Sequence, residues 1–188
     1  RIKVKMGVSK DGKITAAEVW MAYEAGAYAG SPVGAAGMTA IACYDIPNFV
    51  VEGYDVVCNK PRVAAYRAPG APMAAFAVES VLDELARDIG MDPIDIRLAN
   101  AAVEGTQASY GPKFPRIGFV ETLEAIKDHP NYTAELGPNQ GRGIAAGFWF
   151  NAGMMSSATV HINENGTATV VTGSPDIGGS RQSMALMA

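Results

Sequence analysis

Apolar and polar residues alternate from the second position onward. Ile2, Val4, Met6 and Val8 are separated by Lys3, Lys5 and Gly7, the period of a half-buried strand. Residues 9–12, Ser-Lys-Asp-Gly, form a turn, with Gly12 suited to positive φ. A second strand over 13–24 completes a hairpin. Residues 26–37 are too rich in glycine for a stable helix and too loose for a strand, so they read as a close-approach loop. A short helix over 38–44, ended by Ile46-Pro47-Asn48, and a strand over 49–58 follow. The clearest pattern comes next: Ala74, Val78, Val81, Leu82, Leu85 and Ile89 lie on one helical stripe. Gly90 stops that helix. Asp92 caps a second helix with Pro93 at its first position, running to about Asn100. Residues 104–118 are irregular. A third helix covers 119–128 and ends at His129-Pro130.

The composition turns polar over 131–142, which reads as a linker. Strands are expected at 143–151 and 157–163. Asn165-Gly166 is the strongest hairpin signal in the chain, and 167–172 is the returning strand. A glycine-rich turn, 173–180, leads to a helical pattern from Arg181. The fold class is therefore α+β, with a mixed sheet and helices. One domain is expected over 1–130 and the opening of a second over 131–188. The chain opens at Arg1 on a strand pattern without an initiator methionine and stops at Ala188 within a helical pattern. It reads as a piece of a longer polypeptide.

Composition narrows the picture. Of the 188 residues 48% are apolar, enough for a sizeable core, and the net charge of -4 argues against broad nucleic-acid binding. No signal peptide or membrane-length apolar run is present. Cys43 and Cys58 read as buried free thiols rather than a disulfide or metal framework.

Two stretches invite chemistry. In 65–72, Ala-Tyr-Arg-Ala-Pro-Gly-Ala-Pro, Pro69 and Pro72 stiffen a loop that opens a helix, and Pro72 suits the first helical position. Gly70 can take angles closed to other residues. Arg67 then stands before a helix N-terminus, a place that favours anions. A stiff connection whose arginine makes a salt bridge explains the same eight residues. In 173–180, Gly173, Gly178 and Ser180 have phosphate-loop spacing, but Gly179 stands where that motif needs lysine. That argues against nucleotide hydrolysis. What remains is backbone N–H groups that can approach a ligand, with Arg181 beside them, or a plain strand-to-helix turn. His129 reads as a helix-terminus cation and His161 as a hairpin residue. Glu79, Asp83, Glu84 and Asp88 read as a solvated helix face. No catalytic side chain and no metal ligand set stands out. Two anion-friendly loops without a reactive side chain fit a part that holds a cofactor.

These motifs together resemble the large, molybdenum-cofactor-binding subunit of the xanthine dehydrogenase and aldehyde oxidase family. Family chains carry Phe-Arg-Gly-Phe-Gly-Gly-Pro-Gln or Tyr-Arg-Ala-Pro-Gly-Ala-Pro-Gln. Here the run is Tyr66-Arg67-Ala68-Pro69-Gly70-Ala71-Pro72-Met73. Ile46-Pro47-Asn48, Asn59-Lys60-Pro61, the helix before Gly90, Gly90-Met91-Asp92-Pro93, 97–100 and 173–180 also look like the family. The resemblance implies a molybdenum–pterin (molybdopterin) cofactor, free or as a dinucleotide. It would be contacted by Tyr66, Arg67, Ala68, Gly70, Gly178 and Gly179, with Pro69 in the substrate pocket. It implies hydroxylation of an aldehyde or N-heterocycle with oxygen from water. Electrons would pass to Fe–S and FAD partner subunits or domains of a cytoplasmic complex, which the family allows to be a dimer.

Three departures bear on this. Pro69 takes the place of a substrate-stacking aromatic, which argues against a flat purine. Met73 replaces glutamine, and Gly178-Gly179-Ser180 replaces Gly-Gln-Gly. No cysteine stands at Ala68-Pro69, which argues against carbon monoxide oxidation. The family's upstream glycine-rich loop and its general-base glutamate lie outside this sequence, so the piece by itself is expected to be inactive. The alternative is a non-catalytic module that keeps the fold for another anion or for protein contacts.

Overall fold

The computed structural model describes residues 1–150 and 155–187. The fold is α+β, in two compact units, Arg1–Trp149 and Phe150–Ala188. The polar stretch 131–142 therefore lies inside the first unit, and the division falls just after Trp149.

In the first unit, β1 (Ile2–Val8) and β2 (Ile14–Gly26) form the expected hairpin. The third strand, β3 (Phe49–Val57), pairs parallel to β2, from Ala17 opposite Phe49 to Gly26 opposite Val57. The sheet is mixed, in the order β1-β2-β3. Ala17, Val19, Met21, Tyr23 and Ala25 of β2 are buried at alternate positions and floor the core.

The crossover between β2 and β3 contains α1 (Val33–Thr39). The helix expected at 38–44 is thus displaced toward the N-terminus, into the glycine-rich stretch. Packing overrides propensity here: Ala36 is fully buried, and a Cβ on Gly37 would stand 3.6 Å from Val51. The close approach expected of 26–37 is real and is made to backbone. A Cβ on Gly26 would lie 2.2 Å from the Pro61 carbonyl oxygen.

The long helix α2 (Ala71–Ile89) lays Ala74, Val78, Leu82 and Ala86 into the core, with Leu85 and Ile89 packed at its margin. Burying Leu82 alone contributes roughly 1.5–3 kcal/mol. Gly90 closes α2 in the left-handed conformation, φ 69°. The next helix, α3 (Pro93–Ala99), is capped as its sequence requires: the Asp92 carboxylate accepts from the N–H groups of Ile94 and Asp95. Ala108 and Phe114 of the irregular stretch 104–118 form a small second core with Ala42 and Ala102. Helices α4 (Phe119–Lys127) and α5 (Pro130–Thr133) follow. His129 caps α5, its Nδ1 accepting the Asn131 N–H at 3.2 Å.

The segment 143–150 belongs to neither sheet, contrary to the expected strand; Asn151 lies outside the described residues. The second unit holds β4 (Ala158–Ile162) and β5 (Ala168–Thr172), an antiparallel hairpin, then α6 (Ser180–Met187). Among the described residues, no helix is long and apolar enough to cross a membrane.

Candidate functional site

The loop at 65–72 is placed by its two ends. Upstream, the 58–63 segment runs beside the end of β2: Ala27 N–H donates to Lys60, Cys58 N–H to Gly26 and Val63 N–H to Ala25. Downstream, Gly70 caps α2 with φ 84°, and a Cβ there would lie 2.4 Å from the Pro32 carbonyl oxygen and 2.9 Å from Ala36 Cβ. Only glycine fits that contact. The buried Tyr23 hydroxyl donates to the Gly70 carbonyl at 3.2 Å. Ala68 is also left-handed, φ 54°, a conformation that costs an L-residue about 1 kcal/mol. Helix α2 begins at Ala71, so Pro72 takes its second position, one later than expected.

Between these anchors the loop faces outward. Tyr66 is 88% exposed, and Arg67 is exposed without a hydrogen bond or ion pair among the described residues. The N–H groups of Ala64, Ala65, Tyr66, Arg67 and Ala68 likewise donate to no described residue. Arg67 thus makes no salt bridge among the described residues. A cavity of about 500 Å³ opens beside the loop, walled by Ile2, Ala22, Tyr23, Pro32, Val63 and Met73. Met73, at the position of the family's glutamine, lines this cavity, which Arg1 and Glu24 also border.

The loop at 173–180 is built differently. Asp176 Oδ1 accepts from the N–H groups of Gly178, Gly179 and Ser180, at 3.3, 2.8 and 3.1 Å. The Gly178 donor first, with Gly179 and Ser180, holds the Asp176 carboxyl below the usual range. The backbone donors expected to face a ligand are turned onto the chain's own carboxylate. Gly179 has φ 78° and open space where a Cβ would stand. Tyr66, Arg67, Ala68, Pro69 and Gly70 lie in the first unit, and Gly178 and Gly179 in the second.

A cluster that sequence reading passed over lies in the core. Glu79, expected on a solvated face, is 4% exposed and pairs with the fully buried Arg97, Nε to Oε2 2.8 Å. Tyr44 donates to Glu79 Oε1 at 2.5 Å, and Arg97 Nη2 reaches Asp83 at 2.9 Å. Burial opposes the Arg97 charge, but Glu79 and the groups around it outweigh that and raise its pKa. Burial, then Glu79, lifts the Tyr44 hydroxyl well above its ordinary value. The same two causes push the Cys43 thiol up to about 12. Both cysteines are free and half-buried. The signal was available: Glu79 shares helical spacing with Leu82 and Ala86, on the core stripe. Asn100 is a second such residue. Its amide donates to Gly12 and Ile96 carbonyls and accepts from Ile14 N–H, pinning the hairpin turn. No group of three or more His, Cys, Asp or Glu able to hold a metal ion occurs among the described residues.

The family model described as molybdopterin cofactor-binding domain matches residues 1–101, which include the outward loop and the cluster's helices. The chain belongs to the molybdopterin cofactor-binding family. Its relatives include the nicotinate dehydrogenase large molybdopterin subunit of Eubacterium barkeri, 35% identical over 66% of this chain and 30% of that one. The xanthine dehydrogenase molybdenum-binding subunit of Escherichia coli O157:H7 is 32% identical over 93% of this chain and 25% of that one. Among solved structures, the aldehyde oxidoreductase from Desulfovibrio desulfuricans superposes with a TM-score of 0.70 at 27% identity, over 90% of this chain and 20% of that one. The chain thus spans less than a third of the length of these molybdopterin-binding relatives.

Proposed function

We propose that this chain is part of a molybdenum hydroxylase that oxidises an aldehyde or N-heterocycle with oxygen from water. The observation that carries this reading is the loop at 64–68: five backbone N–H groups and the guanidinium of the exposed Arg67 have no partner among the described residues, within the matched domain. Such a row of donors beside a cation fits the anionic dithiolene and phosphate ends of a molybdenum–pterin. When bound, that cofactor would supply the oxygen transfer and the two-electron chemistry.

In this reading the chain's own residues bind and orient. Tyr66, Arg67 and Ala68 donate backbone N–H groups, and Arg67 adds charge. Gly70 keeps the loop docked on α1. Pro69, in place of an aromatic, shapes the substrate pocket. Gly178 and Gly179, whose N–H groups turn to Asp176, would meet the cofactor with their bare Cα faces. The general base and the remaining cofactor contacts come from other parts of the parent protein, so the isolated chain is inactive. Fe–S and FAD partners receive the electrons, in a cytoplasmic complex. The 1–130 and 131–188 regions serve as parts of two molybdopterin-binding domains.

A second reading, a non-catalytic module, is favoured by the Asp176 contact alone, since it satisfies donors that a cofactor loop would keep open. Arg67→Ala in the parent enzyme separates the two. Arg67 is exposed and has no partner among the described residues, so the change is expected to leave the stability of this chain within about 0.5 kcal/mol. The hydroxylase reading expects a large loss of molybdenum content or of turnover on aldehydes and N-heterocycles. Wild-type content and turnover would sink it. Stoichiometric molybdenum in the isolated chain would overturn the expected inactivity.

A further inference from the structure

The buried pair of Glu79 and Arg97 does more than neutralise itself. Glu79 Oε2 also accepts the Ala146 N–H at 2.6 Å, and Arg97 Nη2 donates to the Ile144 carbonyl at 3.2 Å. In a strand, the carbonyl of one residue and the N–H of the residue two further on point to the same edge. Those are the two groups held here. The surrounding residues keep a strand's period as well: Ile144, Ala146 and Phe148 are half-buried, and Ala145, Gly147 and Trp149 are exposed. Ala146 packs on the main core, and the Phe148 ring lies 5.7 Å from that of Phe114. The segment has the edge and the faces of a strand, but its neighbour is an ion pair.

We propose that Glu79 and Arg97 are positioning residues that grip the 144–146 backbone as a neighbouring strand would. Arg97 is itself fixed by Pro93 and Asp83, and Glu79 by Tyr44. Both gripping side chains thus have partners besides the segment they hold. Glu79 sits eight residues into α2, about 12 Å along the axis from its start. One helix thus carries the outward loop at its N-terminus and the end of the first unit on its flank. That this frame serves a cofactor rests on the proposed function; the grip itself does not.

Amide hydrogen exchange on the 188-residue chain tests it without any cofactor. Glu79→Ala is expected to speed exchange at Ala146 roughly 10- to 100-fold, while Val19 and Met21 in β2 stay protected. Glu79→Gln keeps an acceptor oxygen and is expected to restore most of the protection. A merely structural Glu79 would instead raise exchange by one factor throughout, and that result overturns the proposal. Glu79→Ala leaves Arg97 buried without its partner and can fail to fold. Ala146→Pro removes the N–H from the other side and leaves the pair intact. Tryptic cleavage after Arg142 should then speed about 10-fold with β2 unchanged; unchanged cleavage refutes the grip. Loss of molybdenum in Arg67→Ala is measured separately, so failure of the functional reading leaves the exchange result standing.

Discussion

At the start of α2, five successive N–H groups before the helix have no partner among the described residues, and the turn is held by what lies beneath it. At the start of α6, three N–H groups converge on Asp176, and the turn is held by its own carboxylate. Both are glycine-bearing turns at helix N-termini, where unpaired donors collect. A third turn settles how to read them: the N–H groups of Gly30 and Ser31 are taken by Asp55, at 2.7 and 3.0 Å. Where a carboxylate is within reach, the chain satisfies its own donors. Among the described residues no carboxylate takes the N–H groups of the loop at 64–68. Glycine spacing does not separate these cases; the position of one aspartate does.

The largest test of that difference is Gly70→Ala. Its Cβ would meet a backbone carbonyl at 2.4 Å with φ at 84°, so a loss of roughly 2–4 kcal/mol is expected in denaturant unfolding of the first unit. A loss under about 1 kcal/mol would mean that the loop is not pinned from beneath. Gly179→Ala meets open space at φ 78° and should cost only the left-handed conformation, about 1 kcal/mol, read in the second unit. Ala68→Gly removes the strain at φ 54° and should raise stability of the first unit by about 0.5 kcal/mol. A decrease would show that Ala68 is held by more than its backbone angles.

The smallest effect is with pH. Asp176 is depressed by its backbone donors, so its contribution to the turn is fully present above the unfolded carboxylate value of about 3.9. It is lost as pH falls through the lower folded value. The Gly179 amide resonance should follow that titration, whereas the Arg67 amide should not move with it. Equal movement at both would erase the distinction between the loops.

Much of the fold was legible because its signals are local. Alternation built the β1–β2 hairpin, Asn165-Gly166 turned β4 into β5, Asp92-Pro93 opened α3, and Gly90 closed α2. Each depends on contacts within a few residues. The loop at 65–72 is legible as a motif: its residue types and the family resemblance single out Tyr66 and Arg67, and the structure adds that both are exposed.

Other features required partners distant in the chain. Helix α1 forms in a glycine-rich stretch because Ala36 is buried under Gly70, a contact between residues 34 apart in sequence. Glu79 looks like a solvated charge until Arg97 and Ala146 surround it. The 143–150 stretch has a strand's alternation, yet side chains occupy the edge where a strand would pair. By itself the sequence determined which segments prefer strand, helix or turn, because those preferences follow from neighbouring residues. Only the tertiary structure decided which donors and charges are already satisfied, because a hydrogen bond depends on what lies within 3 Å in space, whatever the distance along the chain.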